Sequence, residues 1–149
     1  VHLQTVTHPI EVLLVEDNPG DAQLTRIALS DSKVCINLHV VEDGVAALEF
    51  LNRRGNYTAA PYPDLVLLDL NLPKKNGHEV LAEIKADKIL KRIPVVVLTT
   101  SQAEEDILRA YNNAANCYIT KPVDFHQFIK IVQSIEDFWF TIVKLPPPD

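Results

Sequence analysis

Five short apolar runs alternate with five stretches of helical period, and this alternation restricts the fold more than any other feature of the chain. The runs are Glu11–Val15, Asn37–Glu42, Leu65–Asp69, Pro94–Thr99 and Cys117–Thr120. The helical stretches are Pro19–Ser30, Val45–Asn52, Gly77–Asp87, Ala103–Asn113 and Phe125–Phe140. A short continuous apolar run reads as a strand buried on both faces. Strands that each lead into a helix pair in parallel through right-handed crossovers. The expected fold is α/β: a (βα)5 doubly wound parallel sheet, flavodoxin-like, with strand order 2-1-3-4-5. That order is a fold-level inference, since no residue pattern states it. Helix-start signals agree with the segmentation. Asn18 precedes Pro19 as an N-cap before proline at the first helical position. Ser101 with Glu104, and Asp124 with Gln127, have capping-box spacing.

A chain of 149 residues suffices for one domain with a sizeable core. We divide it into an N-terminal extension, 1–9, a domain over 10–142, and a tail, 143–149. Pro146, Pro147 and Pro148 make the tail extended and solvated. A long polar loop, Arg53–Asp64, precedes the third strand. The formal charge of −6 argues against nucleic acid as a partner. No apolar stretch approaches the ~20 residues that span a membrane, and no secretory signal is visible. Cys35 and Cys117 lack metal-ligand spacing and read as reduced thiols of a cytoplasmic protein. The chain has no Met, so the true N-terminus is expected to be processed or missing.

Asp69 ends the apolar run Leu65–Leu68. A carboxylate there is costly to bury without partners, and ligands of open parallel sheets bind beyond the strand C-termini. The first strand leads into Glu16 and Asp17. If the first and third strands are neighbours, three carboxylates converge. Two unit charges ~5 Å apart repel by roughly 3 kcal/mol at an effective dielectric of ~20. A hard, oxygen-preferring cation would relieve that repulsion, and Mg²⁺ (or Mn²⁺) fits. Adjacent acids after a strand can also simply favour the start of the next helix, but that does not account for Asp69. The fourth strand ends in Thr99-Thr100-Ser101, and the fifth leads into Lys121 and Pro122. A hydroxyl and an ammonium at one sheet edge are what a phosphoryl group needs.

The set Glu16-Asp17, Asp69, Thr99 and Lys121-Pro122 resembles the receiver domain of two-component response regulators, over about Ile10 to Ile135. The resemblance implies that Asp69 accepts a phosphoryl group from the phosphohistidine of a histidine kinase. It implies that Asp17 ligates the metal directly, Glu16 through a metal-bound water, and Asn71 through its backbone carbonyl. Lys121 and Thr99 contact the phosphoryl group, Tyr118 follows Thr99 inward as the aromatic switch, and the peptide before Pro122 is cis. Asn71 and Ser101 occupy the positions that tune attack by water. The chain would then be a phosphoacceptor, with self-catalysed phosphorylation and slow dephosphorylation, rather than an enzyme. The segment Arg53–Asp64 with the following Leu70–Gly77, and the end Ile135–Pro146, look like the small stand-alone response regulators paired with cyanobacterial phytochrome-type kinases.

The last helical stretch carries two apolar stripes. One holds Phe128, Ile131, Ile135, Phe138 and Ile142; the other holds Phe125, Ile129, Val132 and Trp139. A helix lying on a sheet needs one stripe, so the second suggests an interface, with a homodimer as the expected use. The interface candidates are Phe128, Ile131, Ile135, Phe138, Trp139 and Ile142. Two rival classes also place chemistry at such a sheet edge. Phosphatases or phosphotransferases of the haloacid-dehalogenase type carry a second Asp two residues beyond the nucleophile, where this chain has Asn71. A flavodoxin needs a phosphate-cradling loop after the first strand, where Glu16 and Asp17 would repel phosphate.

Overall fold

The computed structural model describes residues 9–30, 36–99, 117–124, 126–128 and 130. Within them β1 (Ile10–Val15), β2 (Ile36–Val41), β3 (Leu65–Asp69), β4 (Val95–Thr99) and β5 (Cys117–Thr120) form one sheet. Every pairing is parallel, and the order is β2-β1-β3-β4-β5. This is the flavodoxin-like order expected from five strand–helix repeats. The interior strand β3 is buried at all positions, which is why its residues form an unbroken apolar run. The edge strand β2 is mostly half-buried. It starts and stops one residue earlier than the sequence reading placed it, leaving Glu42 exposed beyond its end. Edge strands carry a weak burial signal, so their ends are hard to read.

Among the described residues, the helices described from end to end are α1 (Pro19–Ser30), α2 (Gly44–Leu51) and α3 (Gly77–Ala86). Each starts on a side-chain cap. Asn18 Oδ1 accepts from Asp21 N at 3.0 Å, and Asp43 Oδ1 from Ala46 N at 2.7 Å. Asn76 and Glu79 form a reciprocal capping box at α3. Alternate strand residues feed two cores. Leu13, Val15, Val66, Leu68, Val95 and Val97 pack with α2 and α3 on one face. Val12, Leu14, Leu65, Leu67, Val96 and Leu98 pack with Leu29 of α1 and with Ile119 and Val123 on the other.

Phe128 belongs to this second core and is buried. That corrects its place among the interface candidates: its ring packs within the chain under the sheet and is not free for a partner. Asp124 Oδ1 accepts from His126 N at 3.3 Å where this last helix begins. Ile131, Ile135, Phe138, Trp139 and Ile142 lie outside the described residues, as do Ala103–Asn113, Ser101, and the hydroxyl of Thr99.

The C-terminal edge of the sheet is held tightly from below. Gly77 N donates to Leu70 O at 3.0 Å. A Cβ on Gly77 would lie 2.4 Å from Asp69 O and 2.5 Å from Leu70 Cα. Only glycine lets α3 start this close to the end of β3.

Candidate functional site

Strand register assembles the site. Val15 pairs with Leu68, so Glu16 and Asp69, each one residue further, are level on neighbouring strands. Thr99 pairs with Thr120, which places Lys121 at the same edge but two strands from β3. Strands lie about 4.8 Å apart, so a group on β5 must bridge roughly 10 Å to act at Asp69. A lysine is long enough to span the gap. Its Nζ donates to Glu16 Oε1 at 2.7 Å, Asp69 Oδ2 at 3.1 Å and Asp21 Oδ2 at 3.0 Å. The Lys121–Pro122 peptide bond is cis.

Glu16, Asp69 and Lys121 are nearly withdrawn from solvent, whereas Asp17 is exposed. Glu16 N continues the ladder to Val41 O at 2.9 Å, which fixes its backbone. Asn71 N donates to Asp69 Oδ1 at 3.0 Å, so one carboxylate oxygen is held by the main chain and the other by Lys121. Burial pushes the Glu16 carboxyl up to about 7; the Lys121 hydrogen bond opposes this and the neighbouring Asp69 adds to it. Burial also disfavours the Lys121 charge. Hydrogen bonds to Glu16, Asp21 and Asp69 outweigh that, and the ammonium keeps its proton above the ordinary lysine range.

One oxygen from each of Glu16, Asp17 and Asp69 lies within 4.8 Å of the other two. An all-oxygen, anionic donor set of this spacing suits a hard divalent cation, which can take a few protein oxygens and keep its remaining waters. The residues present therefore fit a divalent metal. Asp17, at the mouth, faces a hollow of about 230 Å³ bounded by α1 and the end of β2, with Arg26 and Glu42 on its walls.

The structure thus brings together Glu16, Asp17, Asp69, Asn71 and Lys121. Tyr118 is half-buried on β5, beside Val97 and against the core under α2 and α3. The sequence reading missed Asp21. Its acidic side chain in the first turn of α1 looks like an ordinary companion of the helix dipole, and no local signal points it toward Lys121, 100 residues away.

The family described as the response regulator receiver domain matches residues 12–133. Response regulator Rcp1 of Synechocystis is 50% identical over 138 residues, covering 93% of this chain and 94% of that protein. Two solved structures are similar along nearly their whole length. The phosphorylated cyanobacterial phytochrome response regulator RcpA is 49% identical with a TM-score of 0.76, over 95% of this chain and 100% of that one. The Mn²⁺-bound form of Rcp1 is 50% identical with a TM-score of 0.74, over 93% and 99%.

Proposed function

This chain belongs to the response regulator receiver domain family, and from that premise we propose that Asp69 is its phosphoacceptor. The observation that carries the reading is the placement of the Asp69 carboxylate. It is buried at the sheet edge, held by Asn71 N on one oxygen and Lys121 Nζ on the other, with Glu16 and Asp17 beside it. A carboxylate oxygen of Asp69 attacks the phosphorus of a phosphohistidine on a histidine kinase. The P–O bond forms as the P–N bond breaks, and the imidazole leaves with the electron pair. Lys121 already reaches Asp69, so its ammonium is placed to neutralise phosphoryl oxygens as charge shifts. Asp17 would hold Mg²⁺ (or Mn²⁺) directly, Glu16 through a water, and Asn71 through its carbonyl. When bound, that ion supplies positive charge for the transferring phosphoryl oxygens.

Thr99 and Lys121 would hold the phosphoryl group, with Tyr118 repacking in response, so that phosphorylation changes the surface through differential contacts. Asn71 and Ser101 would set the lifetime of the phosphoaspartate. Leu24 and Ile27 are exposed one turn apart on α1, an apolar surface beside the site on which the kinase can dock. The high identity to phytochrome response regulators favours a phytochrome-type kinase. The remaining interface candidates read from the sequence, Ile131, Ile135, Phe138, Trp139 and Ile142, would serve a homodimer. A small-molecule phosphodonor or the phosphorylated kinase should label the wild type at one acid-stable, base-labile site. Asp69→Asn should stay folded and unlabelled; undiminished labelling of that variant would sink the reading.

A further inference from the structure

An ammonium has three donors, and Lys121 spends one on each of three carboxylates: Glu16 at 2.7 Å, Asp21 at 3.0 Å and Asp69 at 3.1 Å. Two of these, Glu16 and Asp69, belong to the trio whose oxygens converge on a potential cation site. Asp21 does not. It sits in the first turn of α1, its backbone N–H fixed to Asn18 Oδ1 at 3.0 Å, and its side chain keeps about a third of its surface in solvent. Its charge therefore costs little desolvation, and it aims at a lysine carried by a different element.

We infer that Asp21 is a positioning residue: it tethers the Lys121 ammonium at the sheet edge when Glu16 and Asp69 are taken by other partners. A divalent cation competes with Lys121 for oxygens of Glu16 and Asp69. Phosphorylation of Asp69 turns its carboxylate into an acyl phosphate and so removes the carboxylate charge with which Lys121 pairs. Asp21 is the acceptor that survives both events, and the donors released by the other two become available to phosphoryl oxygens. Without Asp21 the ammonium rests on Glu16 and Asp69 alone. Cation binding and nucleophilic attack must then both displace it from the same oxygens. The effect on phosphorylation rests on the phosphoacceptor reading of Asp69; the effect on the cation does not.

The test is a double-mutant cycle on the full chain, with Mn²⁺ alone as the probe and its affinity read by calorimetry. Asp21→Asn should weaken Mn²⁺ binding about fivefold when Lys121 is present, the scale of one partly exposed charged hydrogen bond. In the Lys121→Ala background the same substitution should cost under about twofold, because only through-space charge is lost. Asp21→Glu, which keeps the carboxylate, should restore most of the affinity. Equal losses in the two backgrounds would overturn the inference. The same cycle on labelling rate with a small-molecule phosphodonor should show about fivefold slowing that vanishes without Lys121. A wild type that takes no label would refute the phosphoacceptor reading instead, and the Mn²⁺ cycle would still decide Asp21.

Discussion

Replacing Gly77 by alanine tests whether α3 is wedged against the end of β3. The added methyl would sit 2.4 Å from Asp69 O and 2.5 Å from Leu70 Cα. Ordinary contacts begin near 3.5 Å, so the helix start and the strand end must separate by about 1 Å. Both clashing atoms are backbone, and β3 is buried throughout, so no side-chain rotation relieves the overlap. Overpacking of this kind costs about 1–3 kcal/mol, offset by up to about 1 kcal/mol of better helix propensity. A net loss of about 2 kcal/mol lowers the melting temperature of a chain this long by roughly 4–8 °C. Because the strain falls on the Asp69 peptide, labelling of Asp69 should also slow, by about tenfold or more. Gly20→Ala is the control. Its nearest neighbour is Asn18 Oδ1 at 3.2 Å, on an exposed side chain, so the change should stay under about 1 kcal/mol. Thermal melts and urea titrations of the two variants read the difference. If Gly77→Ala melts with the wild type, the close packing of α3 on β3 is wrong.

Three further outcomes follow from the site and its supports. Lys121→Ala leaves Glu16 and Asp69 buried without their counter-charge and should destabilise the metal-free protein by about 3 kcal/mol. Mg²⁺ should then raise its melting temperature more than that of the wild type, and an equal rise would show that Lys121 does not compete for the cation oxygens. Asp17→Asn should weaken Mg²⁺ binding more than Glu16→Gln, as read by calorimetry, because Asp17 is assigned the direct contact; the reverse order would move that contact to Glu16. Asp43→Ala should cost about 1 kcal/mol at neutral pH by removing the α2 cap. The Ala46 N–H bond holds the Asp43 carboxyl below its ordinary 3.8. The lowered value makes this stabilisation present above that pH and lost as pH falls through the folded value. Denaturation of both proteins from neutral to acid pH should therefore show their difference shrinking, and a constant gap would exclude an ionised cap.

Much of the fold was legible because β1, β3 and β4 are interior strands, and their burial on both faces writes unbroken apolar runs. The start of α1 was legible from the Asn18–Pro19 cap, and that of α3 from helical spacing alone. Edge strand β2 was shifted by one residue because a half-buried strand mixes polar and apolar positions. At the site, Glu16, Asp17, Asp69 and Lys121 stood out because each breaks an apolar run at its C-terminal end. Asp21 did not, because its contact depends on Lys121 reaching across the sheet edge from the end of β5 to the start of α1, a tertiary fact that leaves no local mark. Phe128 was misplaced for a related reason: two apolar stripes on one helix cannot reveal from spacing alone which one meets the sheet.

The proposed site of phosphorylation is the carboxylate of Asp69. Phosphorylation of the wild-type chain in Mg²⁺, followed by borohydride reduction of the acyl phosphate and peptide mapping, tests it at single-residue resolution. Reduction converts a phosphorylated aspartate to homoserine. Homoserine is expected at position 69 and nowhere else. Homoserine at position 17 or another acidic residue, with Asp69 unchanged, would contradict it.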